Sequence, residues 1–188
     1  TDVPATWEEI HDQNETFTDE EIAARRVRDP RFRYVEKRWR TSEDGKWLWK
    51  GDTSSDEVNG HYMGFYWFHE LVADEKQKAR ITDILTTLTD YIIKNDYTFV
   101  DPETGVYTRW GVWSDSIFKE NHDWWVESII NRYEVLAYLR IAEHVSGNKK
   151  YDRELNRLVT RHNYKEYLRR PKAHRISEQS RIDDGMVY

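Results

Sequence analysis

The stretch that decides the fold is WLWKGDTSSDEVNGHY, residues 47–62. Its two tryptophans alternate with other residues, as side chains do on one face of a β-strand. Small and acidic residues follow, and from Ser54 onward apolar residues recur every three or four positions, which is the spacing of an amphipathic helix. The stretch therefore predicts a strand that leads into a helix, with aromatic rings, carboxylates and a histidine at the junction.

Two pairs of helices are predicted from this spacing, the first over 54–73 and 76–94 and the second over 124–145 and 150–162. The links within each pair are short, so the paired helices are expected to pack antiparallel. The pairs align at an offset of 74 residues, at which Ile81 corresponds to Leu155. Residues 180–188 are similar to 55–62 and predict the start of a third pair. We therefore expect the chain to be part of a longer protein.

A short β-hairpin is predicted in front of each helix pair, over 31–52 around Asp44-Gly45 and over 97–113 around 101–105. Residues 1–30 are interpreted as a polar helical lead-in, with one helix near Trp7 and a second that Thr18 and Glu21 start as a capping box. The predicted organisation is this lead-in followed by a mainly α domain over 31–188. That domain consists of repeated antiparallel helix hairpins with short β-hairpins at one end.

Composition excludes several classes of protein. The net charge is −6, which argues against nucleic acid as a partner, because phosphate binding needs a clustered basic surface. No apolar run approaches the ~20 residues of a membrane-spanning helix, so no membrane partner is expected. The absence of cysteine excludes disulfides and thiolate metal sites. Nine Trp, twelve Tyr and six Phe exceed what a small core requires, so some rings are expected to line a groove.

One family resemblance rests on three motifs. WKGDTSSDE at 49–57, GHY at 60–62 and TRWGVW at 108–113 together resemble the six-hairpin (α/α)6-toroid superfamily, in particular its exported Bacteroidetes-type members. The resemblance implies a toroid of helix hairpins, activity on carbohydrate, and a secreted or periplasmic location. It assigns no catalytic pair. This sequence supplies little more than two helix pairs, so it implies a partial toroid domain.

Carboxylates at the starts of the two helix pairs are the candidates for chemistry. Cleavage of a glycosidic bond uses a protonated carboxyl about 5–5.5 Å or about 6.5–9.5 Å from an ionised one. The alternative is that acids in the first turn of a helix cap free N–H groups and complement the helix dipole. The catalytic candidates are Asp52, Asp56, Glu57, Asp123 and Glu127.

Aromatic and polar side chains around the same starts are the candidates for binding. Tryptophan rings there either stack on sugar or cover the core. Arg109 either binds a carboxylate such as a uronate or forms a structural ion pair. His61 shares a helix face with Glu57, but no HExxH motif is present, so no metal and no other cofactor is expected. The substrate-binding candidates are Trp47, Trp49, His61, Tyr62, Arg109, Trp110, Trp113 and Trp124.

These observations lead us to expect a carbohydrate-active protein, most simply a glycoside hydrolase-like enzyme that acts on oligo- or polysaccharide through a carboxylate pair. Two alternatives stay open: a non-catalytic glycan-binding or helical interaction module, and a polysaccharide lyase. The expected partners are carbohydrate and either the remainder of the protein's own chain or another subunit.

Overall fold

The computed structural model describes residues 2–4, 16–34, 38–121, 124, 127–162 and 164. These residues are mainly helical and include two small antiparallel β-hairpins, as predicted. None of the described helices is long and apolar enough to cross a membrane. In chain order the elements are β1 (Asp2–Pro4), α1 (Asp19–Arg28), β2 (Trp39–Thr41), β3 (Trp47–Lys50), α2 (Ser55–Leu71), α3 (Glu75–Lys94), β4 (Thr98–Val100), β5 (Tyr107–Val112), α4 (Asp115–Glu120), α5 (Glu127–Ser146) and α6 (Lys149–Arg161).

Helix ends follow the capping residues in the sequence. Thr18 accepts the backbone N–H of Glu21, and the Glu21 carboxylate accepts the backbone N–H of Thr18 at 2.9 Å, which confirms the predicted capping box. Asp74 and Gln77 form the same reciprocal pair at the start of α3. The turn between α5 and α6 contains Gly147 at φ +67°, a left-handed conformation that glycine adopts without steric cost.

The first sheet has the strand order β1-β3-β2, and both pairings are antiparallel. The predicted Asp44-Gly45 turn joins β2 to β3. Gly45 has φ +72°, and the Asp44 carboxylate accepts the Ser42 hydroxyl at 2.7 Å and the Lys46 N–H at 3.1 Å. The pairing of β1, with Val3 opposite Leu48, was not predicted. The helix expected near Trp7 lies outside the described residues.

The second sheet is the β4–β5 hairpin. Asp101 organises its turn, since one carboxylate oxygen accepts the N–H groups of Glu103 at 3.1 Å and Thr104 at 2.9 Å. The other oxygen accepts the Arg40 guanidinium at 2.6 Å, and both side chains are buried. This explains 101–105 as a turn that is held by hydrogen bonds and an ion pair.

The chain divides into two compact units, each built from two segments. Unit 1 consists of residues 1–54 and 99–111, and unit 2 consists of 55–98 and 112–188. Unit 1 therefore holds α1, the first sheet and most of the β4–β5 hairpin, whereas unit 2 holds α2 to α6. The division at residue 30 stays a prediction.

Helix α5 forms the centre of unit 2, because it packs against α2, α3 and α6. The Tyr62 ring on α2 stacks on Tyr138 of α5 with centroids 4.1 Å apart, and both residues are buried. The helical spacing of apolar residues predicted from Ser54 onward continues beyond the buried part of α2, since Phe68 and Leu71 are exposed. Helix α6 begins 74 residues after α3, at the predicted offset. The toroidal repeat stays a prediction, and the proposed third start at 180–188 lies outside the described residues.

Candidate functional site

The candidate site residues fall in different units. Five of them belong to unit 1, namely Trp47, Trp49, Asp52, Arg109 and Trp110. Seven others belong to unit 2, namely Asp56, Glu57, His61, Tyr62, Trp113, Trp124 and Glu127. Asp123 lies outside the described residues. Each unit is therefore considered by itself.

In unit 1, Arg109 forms an ion pair of the kind that was the alternative to substrate binding, and its role in binding stays a prediction. Its guanidinium forms an ion pair with Asp29 and lies over the Trp110 ring, 4.1 Å from the centroid. Asp52 is buried, and its Oδ2 atom lies 3.7 Å from Arg38 Nε. The centroid of the Trp49 ring lies 5.2 Å from Arg40 Cζ. The exception is Trp47, which is 48% exposed on β3 and presents its ring to solvent.

In unit 2, three candidate binding rings are part of the core. Tyr62, Trp113 and Trp124 are at most 1% exposed. The Tyr62 hydroxyl hydrogen-bonds to Thr89 at 2.7 Å, and Trp124 packs on Phe118 with ring centroids 6.1 Å apart. None of the three rings faces solvent. Their burial agrees with the alternative stated above, in which the rings cover the core. His61 is exposed on α2 and stacks on Phe65.

The carboxyl group with the most unusual surroundings is one that sequence reasoning did not select. Glu134 lies on α5 and is only 4% exposed. One carboxyl oxygen accepts the Asn59 side-chain amide at 2.7 Å, and the other accepts the Trp113 indole N–H at 2.7 Å. A buried carboxyl is thus held from both sides, by α2 and by the segment that follows β5.

Burial raises the pKa of Glu134 to about 7. Removing a carboxylate from water disfavours its charged form, and the negative charge of Asp56 acts in the same direction. The hydrogen bond from the Trp113 indole favours the ionised form and lowers the pKa, but burial outweighs it. A carboxyl with a pKa near neutrality is able to donate a proton at physiological pH.

The first turn of α2 surrounds this carboxyl with polar groups. Asp56 is exposed there and Glu57 is half-buried, while the Tyr138 hydroxyl donates to the Ser55 carbonyl at 3.3 Å. Glu134 therefore brings together Ser55, Asp56 and Asn59 from α2 with Tyr138 from α5. Ser55, Asp56 and Asn59 all lie in the stretch at 47–62. Only its carboxylates, its histidine and its aromatic rings had been selected as candidates, so Ser55 and Asn59 were missed. Glu127, another candidate, is the half-buried first residue of α5.

One signal in the sequence does point to Glu134. Apolar residues cover most of the circumference of α5, with Ile129, Val135, Leu139 and Ile141 each buried, whereas Ala137, Arg140 and His144 form an exposed side. Glu134 lies two helical turns before Ile141 and so on the same side of the helix, which predicts that this charged residue is covered together with its apolar neighbours.

A second polar cluster in unit 2 surrounds Asp115, which is also buried. Its carboxylate accepts Arg132 at 3.1 Å, lies 2.5 Å from the Lys119 ammonium and is 2.9 Å from His162 Nδ1. Burial by itself raises the pKa of Asp115, but these partners lower it below the ordinary value. One buried carboxylate is thus paired with two cations and an imidazole, an arrangement typical of a structural network.

Among the described residues, no group of three His, Cys, Asp or Glu side chains is arranged to hold a metal ion. No protein-family model matches the chain, and neither a curated protein nor a solved structure matches it.

Proposed function

We propose that the protein is a carbohydrate-active enzyme of the glycoside hydrolase type, in which the Glu134 carboxyl is the general acid. The observation that supports this most directly is a buried carboxyl, Glu134, whose two oxygens are held by Asn59 and Trp113 and whose surroundings raise its pKa to about 7, while Asp56, another acid that acts on it, is exposed. Glycosidases use one carboxyl that stays protonated and another that is ionised, and different surroundings separate the two roles.

In the proposed reaction, Glu134 donates its proton to the glycosidic oxygen as the bond between that oxygen and the anomeric carbon breaks. Asp56 accepts a proton from the water that attacks the same carbon. Asn59 and Trp113 are positioning residues, because each donates a hydrogen bond to one oxygen of the Glu134 carboxyl and so fixes its orientation.

The test is hydrolysis of a panel of aryl glycosides and oligosaccharides by the wild type and by Glu134→Gln and Asp56→Asn. Both variants are expected to lose about 10²-fold or more in kcat. The matched control is Glu43→Gln, since Glu43 is exposed in the β2–β3 turn. The wild-type rate is expected to fall above pH 7 as Glu134 ionises.

The competing role for Glu134 is to tie α2 to α5 without any chemistry. If Glu134→Gln and Asp56→Asn turn over every substrate at the wild-type rate, the proposed assignment is wrong. Release of a product that absorbs in the ultraviolet would instead indicate lyase chemistry. Circular dichroism of each variant separates loss of the fold from loss of activity.

A glycan-binding role without turnover is the second candidate, and the exposed ring of Trp47 favours it. Aromatic rings at half-wet positions suit contact with sugar. This function predicts heat of binding by calorimetry without products by chromatography. Trp47→Ala would then abolish binding, whereas Glu134→Gln would not.

A further inference from the structure

A groove of about 590 Å³ runs between α2 and α3 of unit 2 and is open to solvent. Its position differs from that of Glu134, since it lies between α2 and α3 rather than between α2 and α5. Its lining includes Gly60, Gly64 and Phe68 of α2 and Gln77, Arg80 and Ile84 of α3. We infer that this groove binds one amphipathic helix of a partner protein, whose apolar face carries an acidic residue at its edge.

The shape of the groove is set by two glycines one helical turn apart. A Cβ atom built on Gly60 or Gly64 would meet nothing within 4 Å, so neither glycine is required by packing within the described residues. Each costs about 0.5–1 kcal/mol of helix stability relative to alanine. Their absent side chains leave the backbone of α2 open to close approach, as at contacts between helices.

The apolar surface extends beyond the groove along α2. Phe68 is 38% exposed and Leu71 is 73% exposed; the two are three residues apart and so lie on one side of the helix. Trp67, 51% exposed, lies at the edge of the same side. Three large apolar side chains exposed on one side of a helix favour contact with a macromolecule over a small ligand. A small ligand would not cover Leu71.

The length of the groove suits a helix. Its lining spans positions 60–68 on α2 and 77–84 on α3, which at about 1.5 Å per residue corresponds to roughly 12 Å, or about two turns of an occupant that lies along it. This is the helix-in-groove mode of recognition, in which side chains one turn apart anchor the occupant.

Charge selects among amphipathic helices. Arg80 is the one permanently charged residue in the lining, which contains no carboxylate. Within the described residues Arg80 is exposed and forms no ion pair or hydrogen bond with another side chain. A helix with Glu or Asp beside its apolar stripe therefore gains an ion pair there, whereas one with Lys at that place meets a like charge.

The experiment measures anisotropy of two fluorescein-labelled peptides of about 14 residues each (roughly 20 Å as a helix) against the 188-residue chain. The peptides share a leucine stripe and differ only in having Glu or Lys at its edge. The Glu peptide is expected to bind the wild type in a saturable manner and more tightly than the Lys peptide. Arg80→Glu is expected to weaken the Glu peptide about 3- to 10-fold and to strengthen the Lys peptide.

A groove-filling variant and a matched charge variant make the result decisive. Gly64→Leu places a side chain in the groove and is expected to weaken both peptides by at least about tenfold, without loss of helix stability. Arg153→Glu reverses an exposed charge on α6 and is expected to change neither affinity.

Three results would overturn the inference: equal binding of both peptides, binding unaffected by Gly64→Leu, or no saturable binding of either peptide. If neither peptide binds and sedimentation shows self-association that Gly64→Leu abolishes, a second copy of the chain covers the groove instead. The inference does not depend on the proposed enzymatic activity, because Glu134 takes no part in any of these measurements.

Discussion

Replacing Glu134 with glutamine should change how the stability of the protein depends on pH. The pKa of Glu134 is raised to about 7 in the folded protein from an ordinary value of 4.5. Between those two pH values the folded state keeps a proton that the unfolded state has released, so the free energy of unfolding falls as pH rises. Each pKa unit corresponds to about 1.4 kcal/mol, so this group alone lowers stability by about 3 kcal/mol across the window.

Glutamine keeps the shape of the carboxyl but does not titrate. Its amide N–H₂ cannot accept the hydrogen bonds that Asn59 and Trp113 now donate, one to each oxygen, so one bond is lost at a cost of about 1–3 kcal/mol. The variant is therefore expected to be less stable than the wild type at pH 4.5. The two should become similar, or reverse their order, above pH 7.

The assay is urea unfolding followed by tryptophan fluorescence at half-unit steps from pH 4.5 to 7.5, with the free energy taken by linear extrapolation. The difference between wild type and variant isolates Glu134 from the other titrating groups. Carboxylates with lowered pKa, such as Asp101 and Asp115, contribute stability that is lost at lower pH, as each is protonated. Glu43→Gln is the matched control and should follow the wild type. Parallel profiles for wild type and Glu134→Gln would refute the reasoning.

Three further outcomes are expected. Trp113→Phe removes the indole donor to Glu134 and should raise the midpoint of the Glu134 titration further, measured by carbon-13 NMR of labelled glutamate; an unchanged midpoint would contradict the hydrogen bond. Asp101→Asn removes the buried charge that lies 2.6 Å from Arg40 and leaves only the half-exposed Glu103, 3.4 Å from Arg40 Nε, so it should lower the free energy of unfolding at pH 7 by about 3 kcal/mol; the deficit should shrink as pH falls, because the wild-type carboxylate is then protonated too. Gly60→Ala should raise the urea midpoint by an amount equivalent to about 0.5–1 kcal/mol, since the added methyl group meets nothing within 4 Å.

Local signals in the sequence were sufficient to predict the two helix pairs and the two β-hairpins, but not strand β1 or the short helix α4. The spacing of apolar residues placed both helix pairs, and the Asp44-Gly45 dipeptide placed the β2–β3 turn. The Thr18 capping box is a contact between residues three positions apart, so it requires no knowledge of the tertiary structure. Features of this kind are encoded within a few neighbouring residues, and the structure contains them where they were expected.

The composition of the site depended on contacts between distant residues and was only partly predictable. Glu134 is 75 residues from Asn59 and 21 from Trp113, and its burial results from the packing of several helices on α5. Trp113 was selected as a ring for sugar and is instead a buried hydrogen-bond donor. Periodicity shows that a helix has a covered face, but it does not identify the polar side chains that a neighbouring helix will cover.

The division of the chain into interleaved units has a consequence for modular engineering. The chain leaves unit 2 after Thr98 and re-enters it at Val112, and residues 99–111 between these points belong to unit 1. The Trp113 N–H donates to the Tyr97 carbonyl at 2.8 Å, so the two ends of the segment are adjacent within unit 2. The segment is an insertion of unit 1 into the chain of unit 2. A loop of another length costs unit 2 little, since each doubling of loop length costs only about 0.6 kcal/mol in closure entropy, but replacing 99–111 would cost unit 1 the buried partner of Arg40. A truncation after Thr98 would cost unit 2 more, because it would remove helix α5, on which Tyr62 stacks and against which α3 packs.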